Sequence, residues 1–232
     1  MTQKYKLNFK CLVLDHDDTS VDSTPHIHYP CYVEYMKTRP QDHCLTFEEW
    51  FKALWYKGLF GYYREDLHLT ESEILEQVAL SRQYAMTHER AHFFPGFIEM
   101  LQQFRALGGF ICVVSFSDET NIYRVYKEET NDQFAPDVVY GWHEETKEQC
   151  KPYPYPIHSM MEKYGFAKED FLVIDDMPQG IEMGKAAGVK CAGAMYGEGH
   201  EVLRKEMEEC CDYICESVDD LKKLLMTPLI EE

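Results

Sequence analysis

The chain has 232 residues, of which 41 are acidic and 23 basic, for a net charge of −18; 45% are hydrophobic and 28% charged. That is the composition of a globular chain rather than a disordered one, long enough for one large domain or a core with a smaller companion. A negative field of this size excludes non-specific binding to nucleic acid or anionic membranes, so any site for a phosphorylated ligand has to be made positive locally.

The opening stretch, MTQKYKLNFK, is polar, and no apolar run approaches the roughly 18 residues of a membrane span. Nine scattered cysteines, several inside apolar runs, read as reduced, buried thiols rather than a disulfide framework. A cytoplasmic location is expected. The first apolar run, residues 9–14 (FKCLVL), ends in Asp15-His16-Asp17-Asp18-Thr19. Short continuous apolar runs of this kind suit strands covered on both faces. Three carboxylates within four positions at the end of such a strand repel one another unless a cation or a proton offsets them.

From about residue 23 to about residue 90 no strand pattern occurs. Helices are predicted over 28–37, 47–56 and 70–88, with breaks at Pro40 and around Gly58 to Gly61, and Thr70 with Glu73 forms a capping box. This stretch reads as a helical insertion projecting from a sheet. Residues 47–63 carry eight aromatics, taken chiefly as the packed core of a small helical domain. The glycines near residue 58 predict a loop able to reach a site, where Lys57 or Arg64 could bind an anionic tail. His26 and His28 read as hinge or surface histidines rather than a metal pair.

Beyond residue 93 strands and helices alternate. A helix over 97–107 closes on Gly108-Gly109, and strand 110–114 (FICVV) ends in Ser115-Phe116-Ser117-Asp118. Strand 138–140 precedes Lys151, which sits in a stiff KPYPYP run, and a helix over 157–164 follows. Strand 171–174 (FLVI) ends in Asp175-Asp176 before a helix over 180–187, strand 191–195, a helix over 202–209 and strand 213–215. The alternation predicts an α/β fold with a doubly wound parallel sheet, whose ligands sit beyond the carboxyl ends of the strands. If the first and fourth of these strands are neighbours, four or five carboxylates converge there, and Mg²⁺ is the economical partner. Ser115 at its strand end reads equally well as a helix N-cap or as an anion ligand.

Four strand-end features, taken in order, resemble the haloacid dehalogenase superfamily. They are Asp15, Asp17 and Thr19 in an Asp-x-Asp-x-Thr run, Ser115 closing the next core strand, Lys151 before Pro-x-Pro, and the pair Asp175-Asp176 before a glycine-bearing helix. The insertion is similar to the helical cap of the branch containing phosphoglycolate phosphatases and β-phosphoglucomutases. The resemblance implies a Rossmann-like core from residues 1–22 and 91–232 with an α-helical cap at 23–90. It implies Asp15 as nucleophile, forming an aspartyl-phosphate, Asp17 as acid and base, and Lys151 as a fixed charge. It places Ser115, Phe116 and Lys151 on the phosphoryl group and Mg²⁺ on Asp15, Asp17 (through its carbonyl), Asp176 and Asp175, with Thr19 orienting Asp17.

Retention of Asp17 sets the chain apart from dehalogenases and phosphonoacetaldehyde hydrolases, which lack it. Asp18 stands where glycine is common, Phe116 where asparagine is frequent and Met177 where serine often follows the acidic pair. The implied activity is Mg²⁺-dependent hydrolysis of a small cytosolic phosphate monoester. A mutase-like phosphotransfer uses the same core residues, and a non-enzymatic binding or signalling descendant is the least favoured reading. The expected partner is a small phosphorylated metabolite, with no nucleic acid or membrane, and the chain is expected to be a monomer or weak dimer.

Overall fold

A computed structural model describes residues 4–88 and 90–229. Strands β1 (Tyr5–Leu7) and β2 (Cys11–Leu14) are followed by three helices, α1 (Tyr29–Met36), α2 (Phe47–Glu65) and α3 (Glu71–Thr87). Then come α4 (Phe97–Ala106), β3 (Phe110–Val114), α5 (Glu119–Glu129), β4 (Val138–Tyr140), α6 (Tyr155–Tyr164) and β5 (Phe171–Asp175). The chain continues through α7 (Pro178–Ala187), β6 (Lys190–Ala194), α8 (Arg204–Cys210), β7 (Tyr213–Cys215), α9 (Val218–Leu225) and β8 (Met226–Pro228).

The strands form a six-stranded sheet in the order β4-β3-β2-β5-β6-β7, with every neighbouring pair parallel. The sequence pattern explains why both faces are covered. Along β2, Leu12 and Leu14 join a core with Phe97, Leu101 and Phe104 of α4 and Leu221 and Leu225 of α9. Cys11 and Val13 point the other way, toward Ile157 and Met160 of α6 and Ile181 and Met183 of α7. The two-residue period of a strand thus serves two helical layers, and each such large apolar side chain contributes roughly 1.5–3 kcal/mol on burial. Leu14 lies opposite Val113 of β3 and Ile174 of β5, so the polar residues that follow emerge at one edge of the sheet. The first and fourth core strands are neighbours, as the convergence of carboxylates required.

Two features differ from the sequence expectation. β1 and β8 form a separate two-stranded antiparallel ribbon; three residues a side are too few for an alternation signal. Residues 58–64 form no loop: α2 runs on to Glu65 across a kink at Gly58 (φ 66°, ψ 167°), because the apolar spacing resumes immediately after the glycine. The capping box at Thr70 and Glu73 is formed, and a second one, at Thr46 and Glu49, starts α2.

Helices α1 to α3 have their own core, built on Tyr32, Met36, Trp50, Tyr62, Tyr63 and Ile74. The hydroxyls of Tyr32 and Tyr62 meet at 2.9 Å, and the Leu45 N–H donates to Tyr32 Oη at 2.8 Å. All nine cysteines are free and six are buried. Among the described residues, no helix is long and apolar enough to cross a membrane.

Candidate active site

Asp15 follows β2, Asp175 ends β5, and Lys151 reaches between them. Its Nζ lies 2.7 Å from Asp15 Oδ1 and 2.8 Å from Asp175 Oδ2, and all three side chains are at most 6% exposed. Burial alone would lower the Lys151 pKa, but Asp15 and Asp175 outweigh it and raise it above the ordinary value. Asp175 is held from two sides, since the Met177 N–H donates to Oδ1 at 2.8 Å. Gly180 of α7 explains the glycine in the fourth motif: a Cβ there would stand 1.8 Å from Asp175 Oδ2. The helix can approach the carboxylate only because that atom is missing.

Asp176, also buried, accepts from Thr19 Oγ1 at 3.1 Å. The expectation that Thr19 orients Asp17 is corrected here: the turn after β2 carries its hydroxyl toward β5 instead. The Thr19 carbonyl accepts from Tyr196 Oη at 2.6 Å, which ties the same turn to the segment after β6. On the far side of Asp176, Oδ2 lies 3.7 Å from Nε2 of the buried His200. Burial pushes the His200 pKa down to about 4, so this imidazole is neutral near pH 7.

Asp17 is held by partners other than those of Asp15, Asp175 and Asp176. Ser117 Oγ donates to its Oδ2 at 2.6 Å, and His28 Nε2 meets Oδ1 at 3.1 Å. Burial would raise the Asp17 pKa, but His28, His16 and the Ser117 bond hold it well below the ordinary carboxylate range. His28 closes a π-turn (Thr24–His28) at the entry to α1. Sequence reading left this histidine in the hinge; the turn swings it back over the strand end. Asp18, in place of the common glycine, adopts the left-handed conformation at φ 56°. Its carboxylate compensates by accepting from the Thr24 N–H at 2.8 Å and from Thr24 Oγ1, the local bonding that makes aspartate tolerable there.

Ser115 is buried and its Oγ accepts from the Ser117 N–H at 3.1 Å. It is not a helix cap: Asp118 caps α5, accepting from the Thr120 N–H at 2.9 Å. The Phe116 ring is 44% exposed, with Lys151 Nζ 5.3 Å from its centroid. The two cap cations are engaged elsewhere. Lys57 lies 2.6 Å from Asp66 and 3.7 Å from Glu65, and both Arg64 Nε and Nη2 donate to Glu71, at 2.7 and 2.9 Å.

One oxygen from each of Asp15, Asp175 and Asp176 lies within 4.8 Å of the others. Three buried carboxylates face one buried ammonium, a charge imbalance that protons or an added cation must offset. Burial, with repulsion from Asp15, pushes Asp175 up to about 7, and burial with Asp15 and Asp18 pushes Asp176 up as well. An all-oxygen, carboxylate-rich donor set of this kind fits a hard divalent cation. The side chain of Asp17 is not part of it, because both of its oxygens face His28 and Ser117.

Comparison with known proteins agrees with the arrangement. Phosphoglycolate phosphatase 1 of Pseudomonas aeruginosa is 26% identical over 220 residues, covering 91% of this chain and 78% of that protein. The phosphoglycolate phosphatase of Pseudomonas savastanoi pv. phaseolicola is 27% identical over 164 residues, 68% of this chain but only 57% of its own length. The chain therefore spans little more than half of that relative. A solved structure from Bacteroides fragilis, described as a haloacid dehalogenase-like hydrolase, superposes with a TM-score of 0.74 at 19% identity over 92% of this chain and 99% of that one, a likeness of fold alone. The sequence profile of haloacid dehalogenase-like hydrolases matches residues 13–194, from the strand carrying Asp15 to the end of β6. The sheet order, the converging strand-end residues and this match agree: the chain belongs to the haloacid dehalogenase-like hydrolases.

Proposed function

We propose that the chain is a Mg²⁺-dependent phosphatase that hydrolyses a small phosphate monoester through an aspartyl-phosphate on Asp15, with residues 1–22 and 91–232 as its core and 23–90 as its cap. The observation that carries this reading is the buried Lys151 bridging Asp15 and Asp175 beside Asp176. A carboxylate nucleophile needs positive charge where a phosphoryl dianion approaches, and a buried lysine supplies it without reorganisation. Mg²⁺, held by Asp15, Asp175, Asp176 and the Asp17 carbonyl, would offset the repulsion between nucleophile and dianion.

An Asp15 oxygen attacks phosphorus in line as the ester oxygen departs. Ser115 Oγ, the N–H groups around Phe116 and Lys151 Nζ bind the equatorial oxygens. The proton rests on His28, whose pKa burial lowers but Asp17 raises more, and is relayed through the Oδ1···Nε2 contact so that Asp17 delivers it to the departing alkoxide. The Asp17 carboxylate then takes a proton from the water that attacks the aspartyl-phosphate, returning the pair to its starting state. Ser117 holds the second oxygen of Asp17 and so fixes the carboxylate plane.

The test is phosphate release from a panel of sugar, nucleotide and short-acid phosphates with and without Mg²⁺. Release that requires the metal supports the reading. Isomerisation of a sugar phosphate without net release would replace it with a mutase, and no turnover of any substrate would refute it.

A further inference from the structure

Three aromatic rings from three separate segments form a chain of contacts that begins beside Lys151. Phe116, immediately after Ser115, packs edge-to-face on Trp142 with centroids 5.5 Å apart and an interplanar angle of 71°. Trp142 in turn lies 6.4 Å from Phe60, which α2 presents just after its kink. The middle ring is held by backbone. The Trp142 N–H donates to the Ser117 carbonyl at 3.1 Å, and a Cβ on Gly141 would stand 2.5 Å from Glu119 N. Only a glycine lets the segment after β4 lie this close to the start of α5. Lys147 Nζ, 6.0 Å from the Trp142 centroid, adds a cation–π contact.

Ser117 also holds Asp17, so the ring that reads a leaving group and the carboxylate that protonates it are positioned by one residue. Cations do stand beside the rings, but they are already engaged. Arg64, 5.7 Å from the Phe60 centroid, donates to Glu71, Lys57 is paired with Asp66, Lys147 lies over Trp142, and Lys151 bridges Asp15 and Asp175. A short carboxylic-acid leaving group would have to compete for each of them. A planar ring, by contrast, gains a stacking surface and gives up no charge pairing.

Resting on the phosphatase reading above, we propose that Phe116, Trp142 and Phe60 form the leaving-group subsite and that it selects phosphate esters of planar aromatic alcohols over those of short hydroxy acids. The experiment compares kcat/KM, with Mg²⁺, for benzyl phosphate, cyclohexylmethyl phosphate and phosphoglycolate, all esters of primary alcohols. Benzyl phosphate should exceed cyclohexylmethyl phosphate by about 3- to 10-fold, the range of an aromatic contact, and phosphoglycolate by about 10-fold or more. In Trp142→Ala the benzyl advantage over cyclohexylmethyl should shrink to within about 2-fold, chiefly through KM.

Equal or better turnover of phosphoglycolate, or no difference between the two ring esters, overturns the subsite while leaving the phosphatase reading intact. The wild-type ranking decides this even if Trp142→Ala fails to fold. If none of the three esters nor acetyl phosphate releases phosphate, the phosphatase reading falls and the subsite with it.

Discussion

The sheet edge and the helical insertion are built on opposite principles. At the edge, charged groups are buried and fixed by many short contacts: Lys151 between Asp15 and Asp175, Thr19 on Asp176, the Met177 N–H on Asp175. In the insertion the interior is aromatic and its cations face their own acids, as with Lys57 and Asp66 or Arg64 and Glu71. Where buried charge is concentrated, one atom out of place should cost function. Where burial is apolar and redundant, a similar change should cost only stability. Buried charge is therefore concentrated at the edge, which the insertion reaches through His28 on Asp17 while it packs otherwise on its own apolar core.

The sharpest way to break that contrast is Asp15→Asn, which should abolish steady-state phosphate release while leaving the thermal transition in place; retained turnover would remove the nucleophile. Asp17→Asn should lower kcat by roughly 10²–10⁴-fold, the range for a positioned acid–base group, measured by continuous phosphate release. Gly180→Ala puts a Cβ where Asp175 Oδ2 now stands, 1.8 Å from its ideal position. It should cost about 1–3 kcal/mol by overpacking and weaken Mg²⁺ binding in the same protein, both read by thermal melting with and without the ion.

Binding of Mg²⁺ at this cluster would carry a pH signature. Burial raises Asp175 to about 7, above the unfolded value near 3.9. The stability tied to its protonated form is therefore complete below about pH 4 and is lost as pH rises through about 7. The increase in Tm given by Mg²⁺ should accordingly grow between pH 5 and pH 8, and a flat or falling increment would argue against a cation in this cluster. The smallest effect belongs to the insertion. Tyr32→Phe removes the hydroxyl that serves Tyr62 and the Leu45 N–H, for about 1–2 kcal/mol. It should leave kcat/KM within about 2-fold.

The edge was largely readable in the sequence because its signals are local. An apolar run followed by doubled acids marks both a buried strand and its functional end, as at residues 11–17 and 171–176. What escaped depends on chain reversal. His28 reaches Asp17 only because a π-turn folds the start of the insertion back over the strand, and His200 reaches Asp176 from a 3₁₀ turn (His200–Leu203) far along the chain. Neither histidine carries a spacing signal. Thr19 stands at the site, but its hydroxyl bonds Asp176 rather than the Asp17 that the family resemblance implies, because its partner lies on a neighbouring strand that no local spacing signals. Gly58 marked a real break but not its form, because a glycine can kink a helix as readily as end it.

Covalent phosphorylation of Asp15 can be caught directly. Acetyl phosphate, whose leaving group needs no acid, should load Asp15 in the Asp17→Asn protein, where the missing base slows the second step. Rapid quenching followed by peptide mass spectrometry should then find one phosphoryl group on the peptide containing Asp15. A variant that turns over acetyl phosphate with that peptide unmodified at every time point would contradict the account.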